Sequence, residues 1–144
     1  MIRVLVADDH PFVRAGVCGA LNDASGIEVV GECADGCDVC ELAATVVPDV
    51  VVMDLRMPVM SGVDATRSLM ALQPAVRVMI LTGSVTGEAL TQIARAGAVG
   101  CLLKLGDPEL LVSSVRRVAA GEAVWPIGYP RAFGPWPPAA AGPR

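Results

Sequence analysis

Five short runs rich in β-branched and other apolar residues, at 2–7, 27–33, 49–54, 76–82 and 99–104, recur along the chain, each followed by a stretch of helical spacing. Continuous apolar runs of this length fit strands buried on both faces, the situation of a parallel sheet covered by helices. The intervening stretches carry apolar residues three and four positions apart: Val13, Val17, Ala20 and Leu21; Val39, Leu42, Ala43 and Val46; Val63, Thr66, Leu69 and Met70; Leu90, Ile93 and Ala94; Leu111, Val115 and Val118. Five strands alternating with five helices predict a doubly wound α/β domain. Punctuation agrees with these bounds. Pro11 and Pro108 suit first helical turns, where the missing N–H would have no partner in any case, and Asp107 is placed to cap the second of them. Gly26, Pro48, Pro74 and Gly97 fall between periodic segments, and Gly121 follows the last helix as a stop.

A length of 144 residues suffices for one domain with a real core and is short for two. Apolar residues make up 53% and charged ones 18%, a balance unlike that of a disordered chain. The formal net charge of −4 and the lack of any basic stripe argue against a nucleic-acid-binding surface, which needs clustered Lys and Arg to neutralise phosphates. No segment reaches the roughly 18 apolar residues of a membrane span, and the first apolar run is too short for a signal peptide, so a cytoplasmic protein is expected. Five cysteines, an odd number, fit reduced thiols better than a disulfide framework. Cys33, Cys37 and Cys40 include one Cys-x-x-Cys spacing, without the fourth ligand of a structural zinc site, and read as packing residues.

With Gly121 as the stop after the last helix, a folded unit at 1–121 and a tail at 122–144 are expected. The residues after Trp125 hold six of the 11 prolines and show neither period, so an irregular or disordered tail is expected. Trp125, Tyr129, Phe133 and Trp136 lie in it, four of the five aromatic residues of the chain.

The polar residues that end the apolar runs carry the chemistry. Asp8-Asp9 follows the first run, Asp54 ends the third, Thr82 ends the fourth and Lys104 ends the fifth. In an open parallel sheet the carboxyl ends of the strands form the ligand crevice, so these residues can converge in space. Taken singly, Asp8-Asp9 reads as a solvated helix-capping pair, Asp54 as a turn-initiating aspartate before Met57-Pro58, and Thr82 and Lys104 as ordinary strand-end residues. Taken together they suit phosphoryl transfer, because a carboxylate can accept a phosphoryl group and the anion so formed needs cations and hydrogen-bond donors around it.

Together, Val6-Ala7-Asp8-Asp9-His10-Pro11-Phe12-Val13-Arg14, Met53-Asp54-Leu55-Arg56-Met57-Pro58 with Ser61-Gly62, Leu81-Thr82 and Leu102-Leu103-Lys104 resemble the receiver domain of two-component response regulators. Asp-Asp-His-Pro and the ending Ala119-Ala120-Gly121-Glu122 are most similar to the NarL/FixJ branch. The resemblance covers about residues 1 to 121. It implies a flavodoxin-like sheet with strand order 2-1-3-4-5. It also implies Asp54 as phosphoacceptor, a Mg²⁺ ion held by Asp8, Asp9, Asp54 and the backbone carbonyl of Arg56, Thr82 as a hydroxyl donor and Lys104 as a point charge on the phosphoryl oxygens. Arg56 and Ser84 correspond to positions where receivers vary. His10 is read as a helix-start residue, since Mg²⁺ disfavours imidazole. The implied partner is a sensor histidine kinase or phosphotransfer protein, with a homodimer as a further possibility, and the implied chemistry is self-phosphotransfer and autodephosphorylation, without enzymatic turnover of another substrate.

Two departures from the family's pattern bear on output. Cys101 stands three residues before Lys104, where receivers carry an aromatic side chain whose rotation reports phosphorylation, and Leu105 replaces the proline that often follows the lysine. Regulators of this branch usually continue into a helix-turn-helix of roughly 60 residues. Only 23 residues follow Gly121, so no specific DNA binding is expected. The expected function is a phosphorylatable receiver. Its alternatives are a truncated or degenerate transcriptional regulator and a decoupled receiver that binds proteins constitutively. A haloacid-dehalogenase-like phosphatase would need a second aspartate two residues after Asp54, where Arg56 stands.

Overall fold

The structure is a computed structural model that describes residues 1–104 and 106–126. Five parallel strands, β1 (Ile2–Ala7), β2 (Ile27–Cys33), β3 (Val50–Asp54), β4 (Arg77–Thr82) and β5 (Gly100–Leu103), alternate with helices α1 (Pro11–Asp23), α2 (Val39–Val46), α3 (Gly62–Leu72), α4 (Gly87–Ala96) and α5 (Pro108–Ala119). The sheet order is β2-β1-β3-β4-β5, the doubly wound flavodoxin-like arrangement that the resemblance implied. Among the described residues no helix is long and apolar enough to cross a membrane.

The two-residue period of the strands sorts the core into two layers. Val4, Val6, Val50, Val52, Met79 and Leu81 face α1 and α5, meeting Val17, Leu21, Leu111, Val115 and Val118. Leu5, Val51, Met53, Val78, Ile80 and Cys101 face the other way, onto Val39 and Ala43 of α2, Ala65 and Leu69 of α3, and Leu90 and Ile93 of α4. Every residue of β3 is buried, which explains why its sequence runs apolar without alternation up to Asp54.

Local chemistry sets the helix ends. Ser61 Oγ accepts from the Asp64 N–H at 3.1 Å, Thr86 Oγ1 from the Ala89 N–H at 3.1 Å, and Asp107 Oδ1 from the Glu109 N–H at 2.9 Å. Gly97 (φ 112°) and Gly121 (φ 99°) end α4 and α5 in the left-handed region. Helix α2 ends instead on Val47, a β-branched residue at φ 49°. The Arg3 side chain meets that end, with Nη2 donating to the Val46 carbonyl at 2.5 Å and Nε to the Val47 carbonyl at 3.3 Å. A cation at a helix C-terminus satisfies free carbonyls and the helix dipole together, which helps hold the strained turn.

Asp35, at the start of the short 3₁₀ turn Gly36–Asp38, is buried and joins two loops. Its Oδ1 accepts from the Cys37 and Met60 N–H groups, both at 3.0 Å, and its Oδ2 from the Val59 N–H at 2.9 Å. Val59 and Met60 belong to the β3–α3 loop, so this carboxylate ties that loop to the end of β2. Gly36 permits the approach, because a Cβ there would overlap the Met60 carbonyl oxygen.

The chain continues on the sheet past the expected end of the folded unit. Val124 forms a parallel bridge with Gly100, its N–H donating to Val99 O at 3.0 Å and its carbonyl accepting from the Cys101 N–H at 2.8 Å. Val124 is buried against the α1–α5 layer and Trp125 packs on the opposite one, so these residues past Gly121 are held at the β5 edge. The remainder of that expected tail, 127–144, and Leu105 lie outside the described residues. All five cysteines are free thiols; Cys18 and Cys101 are buried and Cys33 and Cys40 half-buried, while Cys37 is exposed rather than packed.

Burial acts to raise the Asp35 pKa, but the three backbone donors outweigh it and hold the group down at about 2. A carboxyl lowered on folding stabilises the protein above its unfolded pKa, and that stabilisation is lost as pH falls through the folded value. Urea unfolding of wild type and Asp35→Asn at pH 5, 4 and 3 is expected to show the wild-type advantage shrinking over the lower part of that range, toward about 2. A pH-independent difference would contradict this reading of the clamp.

Candidate functional site

Because all five strands are parallel, their carboxyl ends lie along one edge of the sheet, and the strand-end residues meet there. Asp8, Asp9 and His10 follow β1, Asp54 closes β3, Thr82 closes β4, and Lys104 follows β5. The ladder continues into these residues, with the Asp8 N–H donating to Cys33 O at 3.0 Å and the Lys104 N–H to Thr82 O at 2.8 Å. Side chains at the site are therefore carried by backbone that is itself paired. Helix α3 starts against the same edge. The Gly62 N–H donates to Leu55 O at 2.8 Å, and a Cβ at Gly62 would overlap the Asp54 carbonyl oxygen, which gives the Ser61-Gly62 pair its physical reason.

Asp9, His10, Asp54, Arg56, Thr82 and Ser84 line an open cleft of about 480 Å³, with Lys104 at its wall. Asp8 and Asp54 are buried, and the Lys104 ammonium bridges them, 3.0 Å from Asp8 Oδ2 and 3.0 Å from Asp54 Oδ2. The Thr82 hydroxyl donates to the Ser84 carbonyl at 3.0 Å, so in this arrangement its proton is directed along its own loop. Arg56 is exposed, and its backbone N–H serves the Asp54 carboxylate.

The two buried aspartates differ in their electrostatics. Burial acts to raise both. At Asp8 the His10 backbone N–H, at 2.8 Å from Oδ1, and the Lys104 ammonium prevail, and the pKa falls below the ordinary value. At Asp54 burial, joined by the neighbouring Asp8 charge, prevails over Lys104 and the Arg56 N–H, and the pKa is raised. Lys104 is raised as well: its burial works against the ammonium, but the two carboxylates outweigh that.

One side chain arrives that the sequence reading placed only at the helix start. His10 does start α1, yet its ring caps nothing and instead reaches the acidic residues, Nδ1 lying 2.9 Å from Asp8 Oδ1 and 3.1 Å from Asp9 Oδ1. Its position directly after Asp8-Asp9 was the only sequence signal for this. One ligand atom from each of Asp8, Asp9, His10 and Asp54 lies within 4.8 Å of the others, close enough to share an ion. Asp9 Oδ1 is buried 3.1 Å from the His10 ring, and Asp54 Oδ2 is buried in ionic contact with Lys104. Carboxylate oxygens gathered in this way fit a hard divalent cation.

Cys101 is fully buried in the layer beneath α4, where burial pushes its thiol up to about 12. The position that the resemblance assigns to a rotating aromatic therefore holds a small core side chain.

Comparison with known proteins agrees with this geometry. The profile of the response regulator receiver domain matches residues 4–116. The transcriptional regulatory protein YxjL of Bacillus subtilis is 43% identical over 124 residues, 86% of this chain and 57% of its own length. The response regulator GacA of Pseudomonas aeruginosa is 41% identical over 122 residues, 85% of this chain and 57% of its own. The chain thus spans a little over half the length of these relatives. Among solved structures, the signal receiver domain of NarL from Mycobacterium tuberculosis superposes with a TM-score of 0.81 at 35% identity, over 84% of this chain and 98% of that one. A LuxR-family response regulator from Aurantimonas superposes with a TM-score of 0.85 at 32% identity, over 91% and 94%. The alternating strands, the acidic strand ends and the lysine opposite them have one common explanation: this chain belongs to the response regulator receiver domain family.

Proposed function

We propose that this receiver accepts a phosphoryl group on Asp54 from a sensor histidine kinase or phosphotransfer protein, with Mg²⁺ as cofactor, and signals through changed protein contacts. The observation that carries the reading is the convergence of Asp8, Asp9, Asp54 and Lys104 at one edge of the sheet, with Lys104 Nζ 3.0 Å from Asp54 Oδ2.

An Asp54 carboxylate oxygen attacks the phosphorus, the bond between phosphorus and the donor nitrogen breaks, and the donor imidazole leaves with that electron pair. Asp8, Asp9, Asp54 and the Arg56 carbonyl would hold the cation, which when bound supplies positive charge against the phosphoryl oxygens. Lys104 is already at the acceptor carboxylate and exchanges part of its contact with Asp8 and Asp54 for the arriving oxygens. Thr82 gives up its bond to the Ser84 carbonyl to donate to the phosphoryl group, so occupancy of the site is felt in the β4–α4 loop. A loop that satisfies a new acceptor in one arrangement and its own carbonyl in another is a two-state element that phosphorylation can bias. Buried Cys101 limits what such a change can move on the β5 side of α4, which favours output through the loop itself.

Incubation with a small phosphodonor and Mg²⁺, read by intact mass, is expected to label wild type once and to leave Asp54→Asn unlabelled. Unmodified wild type, under conditions that label another receiver, would refute the proposal.

A separate outcome follows from the raised pKa of Asp54. A carboxyl whose pKa is higher in the folded chain than in the unfolded one opposes folding once ionised, so its contribution is lost as pH rises through the folded value. At pH 7 without divalent cations, Asp54→Asn is therefore expected to unfold at a higher temperature than wild type. Calorimetry decides the sign, and the difference should narrow as pH is lowered.

A further inference from the structure

Arg14, the fourth residue of α1, stands outside the cleft lined by Asp9, Asp54 and Thr82, yet it holds the turn that carries Asp9. Its side chain is 21% exposed and reaches back onto the β1–α1 turn, where Nη1 donates to the Asp8 carbonyl at 2.5 Å. Its Nε donates to Glu32 Oε1 at 3.1 Å. Glu32 pairs with Val6 in the β1–β2 ladder, so the guanidinium is held from the neighbouring strand. The Arg14 backbone N–H donates to the His10 carbonyl at 2.9 Å. One residue thereby binds the turn at Asp8 and at His10, the residues on either side of Asp9.

The Asp8 carbonyl lies in the peptide that joins Asp8 to Asp9. A planar peptide can swing only as a plate about its two flanking bonds, and swinging this one re-aims the Asp9 side chain relative to Asp8. Asp8 itself is fixed from the other side, its N–H bound to Cys33 O at 3.0 Å and its Oδ1 to the His10 N–H at 2.8 Å. We propose that Arg14 is a positioning residue that, through the Asp8 carbonyl, sets the spacing of the Asp8 and Asp9 carboxylates for a divalent cation. The inference rests on the reading of Asp8, Asp9 and Asp54 as a metal site. Arg14 directs its donors to a carbonyl and to a carboxylate outside the cluster, so it orders the pair without occupying the oxygens that an ion would take. The planar fork of a guanidinium makes both contacts at once, which the single nitrogen of a lysine does less well. Partners that orient metal ligands in this way are worth about 10- to 100-fold in metal affinity.

Mg²⁺ affinity would be read from the backbone amide shifts of Asp8, Asp9 and His10 in ¹⁵N-labelled protein, on wild type, Arg14→Met, Arg14→Lys and Arg3→Met. Arg14→Met keeps the apolar stem and removes the donors. Arg3→Met is the comparison for general loosening, because Arg3 also donates to backbone carbonyls, those of Val46 and Val47, but near the amino end of β1, away from the cleft. Arg14→Met is expected to raise the half-saturating Mg²⁺ concentration about tenfold. The rate of labelling by a small phosphodonor should change less at saturating Mg²⁺ than at low Mg²⁺. Arg14→Lys should fall between Arg14→Met and wild type, and it decides the question where Arg14→Met does not fold. Arg3→Met should bind Mg²⁺ as wild type does. Wild-type affinity in the Arg14 variants, or an equal weakening in Arg3→Met, would overturn the role of Arg14 and leave the metal site standing. Amide shifts of wild type that do not respond to Mg²⁺ would overturn both.

Discussion

One ammonium set between two buried carboxylates is the contact around which the functional edge is organised. Asp8 and Asp54 come from adjacent strands whose parallel pairing leaves them side by side, and without compensation two negative charges at low exposure would repel. Lys104 supplies that compensation from β5, the strand two places beyond β3 in the sheet. The compensation is incomplete by construction. Lys104 is in contact with two of the three carboxylates gathered there, so the cluster is one that could hold a cation. The opposite shifts of Asp8 and Asp54 follow from how that one charge and the nearby N–H donors are divided.

The surrounding fold is arranged to keep this edge in place. Fully buried β3 delivers Asp54 from a strand with no freedom to slide, since a slip of one residue would move its whole apolar set to the other layer. Gly62 lets α3 start directly against the Asp54 backbone, and Asp35 fastens the loop between them to the end of β2. These contacts differ in kind from the core. They are polar, specific in direction and concentrated in loops, so they set positions more than they add bulk stability.

The strands, the helices and their order were legible because each signal is local: β-branched runs, three-and-four spacing, prolines at helix starts and glycines at helix ends. Asp8, Asp9, Asp54, Thr82 and Lys104 could be singled out because each ends a strand and parallel topology brings strand ends together. What stayed hidden depends on side-chain direction or on distant partners. The ring of His10 stays largely exposed while its Nδ1 turns to Asp8, a side-chain direction that no periodicity marks. The three acceptor bonds of Asp35 span up to 25 positions in sequence, and no periodicity marks them. Val47 in the left-handed region runs against the preference of a β-branched residue and becomes intelligible only with Arg3 at the helix end. Val124 lies past the Gly121 stop and so reads as part of the tail, yet in space it is bridged to the sheet.

The bridge at Val124 also changes what kind of boundary the sheet presents. An outermost strand exposes a row of unpaired donors and acceptors on which another chain can template itself. On β5, the Cys101 N–H is spent on Val124, as is the carbonyl of Val99 just before the strand, and a Cβ on Gly100 would come within 2.7 Å of the Val124 carbonyl oxygen. The short crossing segment works as a selvedge, finishing the fabric on the side where it would otherwise fray. It also gives the chain a fixed point of departure: polypeptide beyond residue 126 leaves from a position tethered to the strand that leads into Lys104.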